Sequence, residues 1–269
     1  MSTYTLENAW QQARERLAGL EAVYDPGTFR VLDGVGVGPG WRCLEIGGGG
    51  GTVAEWLCAK VGPHGHVLAT DIDPRFLEPL TDDHPNLDAR RHDIVSDDLP
   101  PAAFNLIHAR MVLEHLPERD RALRRMAAAL VPGGWLVVEA IDFGSEAPDP
   151  ALDAATTARF VRSHVARTRF LADHGFDLAF ARGVSRRLRT LGMVDVATEG
   201  RSYTWWGNTA GANVWRLSFE QRRDSFIGGS YLDESEFAEI VAMLLDPSFA
   251  ATSPTIVAAW GRRPAPGLT

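Results

Sequence analysis

The feature that most constrains this chain is the run Glu45-Ile46-Gly47-Gly48-Gly49-Gly50-Gly51. It follows an apolar stretch from Trp41 to Ile46 that reads as a buried strand. It precedes a helical pattern from Thr52 to Lys60 with Val53, Trp56 and Leu57 inward. Five glycines between a strand and a helix let the backbone turn sharply and approach a ligand without interference from Cβ atoms. The following helix presents free N–H groups and the positive end of its dipole there. A carboxylate or a phosphate suits that environment.

Beyond the turn, the apolar pattern keeps alternating between the strand and helix periods. Strand Val67 to Thr70 is followed by a helix from Pro74 to Leu80, then by strands Leu87 to Arg91 and Phe104 to Ala109. A helix from Glu118 to Leu130 carries Leu123, Met126, Ala127 and Leu130 on one face. The turn Pro132-Gly133-Gly134 leads into strand Trp135 to Ile141. Met193 to Glu199 and Thr255 to Trp260 complete the strand set. The predicted fold is α/β: a doubly wound, mostly parallel seven-stranded sheet with helices on both faces and a helical cap built from insertions. In such a sheet the ligand lies beyond the carboxyl ends of the strands.

The cap is predicted from the segments that break this rhythm. Apolar residues Leu6, Trp10, Ala13, Leu17 and Leu20 recur at helical spacing. Asp25-Pro26-Gly27 is expected to end that helix before a short one around Phe29 to Leu32. Phe160, Val161, His164, Val165, Thr168 and Leu171 mark a long inserted helix, and Gly192 is placed to cap the helix ending at Leu191. The expected organisation is an N-terminal helical cap or lid over 1–40, a core over 41–147, and a helical insertion over 148–182. A core helix and strand follow over 183–202, a Trp-rich helical insertion over 203–250, and a last strand and tail over 251–269. Trp205, Trp206 and Trp215 either enclose an aromatic or polycyclic substrate or form the insertion's own small core.

Charge narrows the partners. The formal net charge of -8 repels a polyanion, so nucleic acid is an unlikely partner. The arginine runs Arg186, Arg187, Arg189 and Arg159, Arg162, Arg167, Arg169 read as solvated helix faces. Cys43 and Cys58 belong to no metal-ligand or redox pattern and read as core residues; no metal site is expected. Met1-Ser2-Thr3-Tyr4 begins no leader sequence and no apolar stretch reaches membrane-spanning length, so no membrane partner and a cytoplasmic location are expected. The amphipathic N-terminal helix and the Trp-rich insertion leave a homodimer open.

Asp71 ends the second strand, 20 residues after Gly51, where its carboxylate can accept hydrogen bonds from ribose hydroxyls. Asp73, before Pro74, is better placed to cap the next helix. The glycine run and Asp71 together describe a nucleoside with an anionic appendage, and a dinucleotide remains admissible. Frames of G-x-G-x-x-G starting at Gly47 or Gly48 fail at Thr52 and Val53, while the frame from Gly49 reaches Ala54.

From Trp41 to Gly51 the chain resembles the first motif of class I, Rossmann-like S-adenosylmethionine-dependent methyltransferases, small-molecule type, and the resemblance extends over residues 25 to 145. Ala69-Thr70-Asp71-Ile72-Asp73 is similar to the ribose motif and His92-Asp93-Ile94 to the adenine motif. Phe104 to Arg110, Val112 to Pro117 and Leu130 to Trp135 follow in order. The resemblance implies that Glu45 orients the glycine loop or the methionine amino group and that Gly47 and Gly49 approach the methionyl part. It implies that Asp71 holds the ribose, Ile72 covers the adenine, and Asp93 accepts the adenine amino group beside Ile94. Main-chain groups of Ala109 and Arg110 would meet the methionine end. Asn105 stands where an aspartate is frequent in the family, and its amide still accepts hydrogen bonds.

Methyl transfer draws chiefly on positioning, and a base is needed mainly for oxygen acceptors. The candidates are His108 and His115 after the fourth strand, and Glu139 and Asp142 at the end of the fifth, with His115 equally readable as a structural residue. The expected activity is methylation of a small molecule, a secondary metabolite, with oxygen ahead of nitrogen or carbon. The alternatives are an NAD-dependent oxidoreductase and a protein that binds adenosylmethionine without transferring methyl. His108-Ala109-Arg110 ends the fourth strand in place of the Asp/Asn-Pro-Pro-Tyr of base-modifying enzymes.

Overall fold

A computed structural model describes residues 6–265. The reading of Met1 to Tyr4 and the last four residues of the tail lie outside the described residues. Strands β1 (Arg42–Ile46), β2 (His66–Asp71), β3 (Leu87–Arg91), β4 (Phe104–Arg110) and β5 (Leu130–Asp142) come first, with α-helices between β1 and β2 and between β4 and β5. β6 (Ala147–Pro148), β7 (Val194–Arg201), β8 (Thr204–Trp206), β9 (Ala250–Thr252) and β10 (Thr255–Arg262) follow. Seven of them form one sheet in the order β3-β2-β1-β4-β5-β10-β7, parallel except for β10, which runs antiparallel to both neighbours. β6, β9 and β8 form a small separate sheet.

The two faces are covered because the buried strand residues alternate with period two and need apolar cover on each side. Helices α1 (Ala13–Gly34) and α2 (Thr52–Val61) supply Val31, Leu32, Val53 and Leu57 to one face, against Cys43, Val67 and Leu106. Cys58 joins them, so both cysteines are buried and free, as expected. Helices α3 (Arg119–Ala129) and α5 (Phe180–Thr190) supply Leu123, Met126, Phe180 and Val184 to the other, against Leu44, Ile107 and Leu136. Gly192 follows α5 with φ +77 while Met193 N–H donates to the Leu188 carbonyl, the expected glycine cap.

Helices α4 (Ala154–Asp173), α6 (Ala210–Gln221), α7 (Arg223–Gly228) and α8 (Glu234–Leu245) form a third core above the carboxyl end of the sheet. Phe170 and Phe226 are fully buried in it. Each such ring contributes about 1.5–3 kcal/mol by burial, and Tyr24, Ile141 and Ile256 join the same core, so the cap helices are packed onto α1 and the sheet. Local sequence sets its helix starts. Asp153 accepts hydrogen bonds from Ala155 and Thr156 N–H at the head of α4, and Asp233 with Glu236 forms a reciprocal capping box on α8. Trp205 and Trp215 pack in this core at 5.4 Å between ring centroids, whereas Trp206 is half exposed.

Two expectations are corrected. Asp25-Pro26-Gly27 does not end the first helix, because α1 runs through it to Gly34. Pro26 costs the helix one hydrogen bond, but its ring faces solvent, where water can serve the freed carbonyl of exposed Ala22. Its neighbours are tied down by tertiary contacts. Asp25 accepts from Arg110 and Thr52, and a Cβ at Gly27 would lie 2.5 Å from Arg201 Nε. The helix predicted over Pro74 to Leu80 is instead a turn followed by a 3-10 segment over Glu78–Asp82. Pro79 has no N–H to continue an α-helix there, and Leu77 and Leu80 pack on the glycine loop.

Candidate active site

The glycine loop leaves β1 with Gly47, Gly49 and Gly51 at φ +69, +55 and +99, a region that favours glycine. Gly47 and Gly48 N–H donate to the Thr70 carbonyl at 2.8 and 3.0 Å, which ties the loop to the end of β2. Gly49 N–H donates to Asp71 Oδ2 at 3.1 Å and Asp73 N–H to Asp71 Oδ1 at 3.0 Å. Burial raises the Asp71 carboxyl pKa, and these backbone donors oppose the rise. The carboxylate still has lone pairs for further donors. Asp73 does not cap a helix. It pairs with Arg75, and its carbonyl accepts from Asn8.

A cavity of about 720 Å3 opens over this loop at the carboxyl end of the sheet. At one end its wall holds Asp71, Ile72, Asp93 and Ile94. Gly47 to Gly50 and Glu45 form its floor. His115, Phe143 and Trp215 stand at the end under the cap. Ile72 is 40% exposed, an apolar surface offered to the cavity. Asp93 is positioned by accepting from Val95 N–H at 2.9 Å. Arg110 lines the cavity, whereas Ala109 is buried and contributes no wall.

The four candidate bases separate in space. His115 lines the cavity beside Phe176, with ring centroids 4.8 Å apart. Its neighbour Glu114 is buried, accepts from Ile141 N–H at 3.2 Å, and through its carbonyl receives Asp177 N–H, which fixes the loop that carries His115. Burial pushes the Glu114 carboxyl up to about 7. Enclosure first, and then the guanidiniums of Arg222 and Arg16, push the His115 imidazole down to about 3, so it is neutral at neutral pH.

His108, Glu139 and Asp142 stand outside the cavity wall. Asp142 accepts from Arg182 Nε at 2.7 Å and from Gly144 N–H. His108 and Glu139 are fully buried in the sheet. Register places Glu45 of β1 opposite His108 of β4, and Arg110 of β4 opposite Glu139 of β5. His108 Nδ1 donates to Glu45 Oε2 at 2.6 Å, and its Nε2 sits 3.5 Å from Glu139 Oε2. Glu139 also pairs with Arg201 and receives the Thr28 hydroxyl, which in turn accepts from Arg110 at 2.8 Å. Arg110 reaches Asp25 at 2.8 Å. A single polar chain thus runs from the glycine loop through the sheet to α1.

Burial alone lowers the pKa of His108, but Glu45 and then Glu139 outweigh it and hold the imidazole up at about 9. Burial likewise disfavours the Glu139 carboxylate, yet His108, Arg110 and Arg201 hold its pKa down at about 2. The unfolded imidazole titrates near 6.5. The stabilisation from charged His108 is therefore complete below pH 6.5 and lost as the pH rises through about 9. The contribution of Glu139 is complete above pH 4.5 and is lost as the pH falls toward 2. The stability advantage of the native chain over a His108→Gln variant, measured by urea unfolding, is expected to shrink from pH 6.5 to 9. A difference independent of pH would show that His108 is not charged in the fold.

Several residues at the site carried no usable sequence signal. Met111, at φ +56, lines the cavity with a strained backbone. Glu21 of α1 reaches over Gly50, and its Oε1 is buried without a partner. Arg167, expected on a solvated face, is instead enclosed. It is 5% exposed, paired with Glu146, and stacked between Phe143 and Trp215 at 4.8 and 4.6 Å. Its turn of α4 faces the cavity, so burial replaces solvent there.

The strand order with one antiparallel strand, the glycine loop after β1 and the acid after β2 define a Rossmann-like methyltransferase fold of class I. The methyltransferase-domain family profile matches residues 4–183, and the chain belongs to that family of S-adenosylmethionine-dependent enzymes. Methyltransferase str2 of Strobilurus tenacellus is 36% identical over 113 residues, 42% of this chain and 40% of that protein. The ubiquinone/menaquinone biosynthesis C-methyltransferase UbiE of Laribacter hongkongensis is 33% identical over 112 residues, 40% of this chain and 46% of its own length. The chain thus matches less than half the length of each.

Phosphoethanolamine N-methyltransferase 2 of Haemonchus contortus, solved with S-adenosyl-L-methionine, superposes with a TM-score of 0.61 at 14% identity. The superposition covers 98% of this chain and 60% of that one. A putative methyltransferase from Bacillus halodurans gives 0.58 at 13% identity, over 88% and 98%. At such identities the likeness is one of fold. No helix among the described residues is long and apolar enough to cross a membrane.

Proposed function

We propose that the chain transfers a methyl group from S-adenosylmethionine to an oxygen of a small-molecule acceptor held under the cap. The observation that carries this reading is the continuity of one cavity from Asp71 and Asp93, past the glycine loop, to His115 and Trp215. Its volume of about 720 Å3 lies within the range of small-molecule sites. A polyanionic polymer substrate is disfavoured by the net charge of -8.

The residues fit the cofactor. Asp71 would accept the ribose hydroxyls, Ile72 would lie against the adenine, and Asp93 with Ile94 would meet its edge. Gly47 and Gly49 leave room for the methionyl chain, and the partnerless Glu21 Oε1 would accept its ammonium group. When bound, adenosylmethionine supplies an electrophilic methyl on a positively charged sulfur. Glu45 is committed to His108 and would orient the glycine loop, with His108 and Glu139 acting as positioning residues beneath it. Arg110, tied to Asp25 and Thr28, fixes α1 over the site. Phe143, Phe176 and Trp215 exclude water and align the acceptor.

His115 is the base that would take the acceptor hydroxyl proton, because it is neutral at neutral pH and lines the acceptor end. So weak a base contributes less than the usual hundredfold or more. His115→Gln is therefore expected to lower kcat by about tenfold with little change in cofactor affinity. The test incubates the protein with labelled adenosylmethionine and panels of phenols, aromatic acids and amines, follows adenosylhomocysteine, and locates the new methyl by NMR. Methyl on nitrogen or carbon would overturn the oxygen assignment alone. Binding of reduced nicotinamide without adenosylmethionine binding would overturn the whole reading in favour of a dehydrogenase.

A further inference from the structure

The cap end of the cavity gathers positive charge in an acidic protein. Arg16 of α1, Arg167 of α4 and Arg222 at the α6–α7 junction all line it, at 2%, 5% and 6% exposure. Glu146 pairs with Arg167. The acids elsewhere on the wall stand at the cofactor end or the rim and are engaged. Glu45 accepts from His108, Glu21 pairs with Arg14, and Glu118 pairs with Arg121. Three guanidiniums are thus brought to the cap end, where Glu146 engages Arg167.

Arg16 is the decisive member. Its Nε and Nη2 are buried with no hydrogen-bond partner, an arrangement that native proteins normally avoid unless a ligand completes it. The antiparallel packing of α1 on α6 places it. A Cβ at Gly19 would lie 2.7 Å from Val214 Cγ2, Arg216 stands 3.9 Å from Glu15, and Gln221 donates to the Glu7 carbonyl. That register sets Arg16 at the level of Ser218 and Arg222, which line the same wall. Both guanidiniums act electrostatically on His115, which places their charge beside the acceptor position. Trp215 and Phe143 provide flat apolar surface next to them.

We propose that the methyl acceptor is a planar molecule bearing an anionic group, a carboxylate or phosphate, seated on Arg16 and Arg222 with its ring against Trp215 and Phe143. This rests on the methyltransferase reading and narrows its substrate class. A guanidinium binds a carboxylate or phosphate through paired, charge-assisted hydrogen bonds, which a neutral ester cannot reproduce. The anion also offsets the buried positive charge, so its arrival favours proton uptake by His115.

The test uses the full chain saturated with adenosylhomocysteine and compares calorimetric binding of 4-hydroxybenzoate and phenyl phosphate with that of methyl 4-hydroxybenzoate. An advantage of about tenfold to a hundredfold is expected for at least one anion over the ester, lost in Arg16→Met and partly restored in Arg16→Lys. Thermal denaturation gives a second readout. Inorganic phosphate at constant ionic strength is expected to stabilise the native chain more than Arg16→Met. Equal binding of acid and ester, or no anion effect in either readout, would overturn the proposal.

The cofactor's own carboxylate is the rival source of the anion. In that case Arg16→Met would weaken adenosylhomocysteine but not 5'-methylthioadenosine, which lacks the amino-acid end, and the proposal would fall. If adenosylhomocysteine itself does not bind the native chain, the methyltransferase reading fails first.

Discussion

Replacing Gly47 by valine is expected to weaken adenosylhomocysteine binding by more than about a hundredfold, as read by titration calorimetry. Gly47 stands at φ +69, where a β-branched residue is strained, and a Cβ there would overlap Val112 Cγ2. Val112 lines the cavity and the loop is anchored to Thr70, so relief comes by closing the cofactor space or by lifting the loop away from Asp71. Gly48 provides the control. A Cβ there lies 3.1 Å from the ends of the Leu77 side chain, so Gly48→Ala is expected to bind within about threefold of the native chain. Native-like affinity in Gly47→Val would show that the cofactor does not contact this turn.

The second large effect is on stability. Glu139→Ala is expected to cost about 3–5 kcal/mol in urea unfolding, because it strands charges that have no access to water. Glu139 is fully buried and is the shared partner of His108, Arg201 and Thr28. For a chain of this length the corresponding fall in Tm is about 10 °C. The isosteric Glu139→Gln keeps the hydrogen-bonding shape while losing the charge and is expected to fall between the two. A loss under about 1 kcal/mol for Glu139→Ala would mean that the strip contributes as little as a surface ion pair.

The two effects differ in how far sequence alone announces them. Gly47 sits in a run whose composition has few other uses, and its role is local, since the backbone must turn between a strand and a helix within a few residues. Asp71 and Ile72 share that legibility because they follow a recognisable strand. Glu139 is legible only as an acid at the end of the fifth strand. What lies around it comes from 111 residues upstream, at Thr28, and 62 downstream, at Arg201. No spacing rule connects such positions. Pro26 shows the same limit from the other side, since a strong local signal to end the helix yields to the tertiary bonds of Asp25 and Thr28 and to the space Gly27 leaves for Arg201.

By itself the sequence determined the alternating sheet, the glycine turn, the acid that follows the second strand and the family to which these belong. Those features rest on periodicity and on backbone conformations that few residue types tolerate. Only the tertiary structure decided that His115 reaches the cavity while His108, Glu139 and Asp142 do not, and that Arg16, Arg167 and Arg222 line it together. Arginines on helices read as solvated faces until the packing of α1, α4 and α6 buries them. Desolvation, which turns a surface charge into a binding group, is a property of the assembled fold.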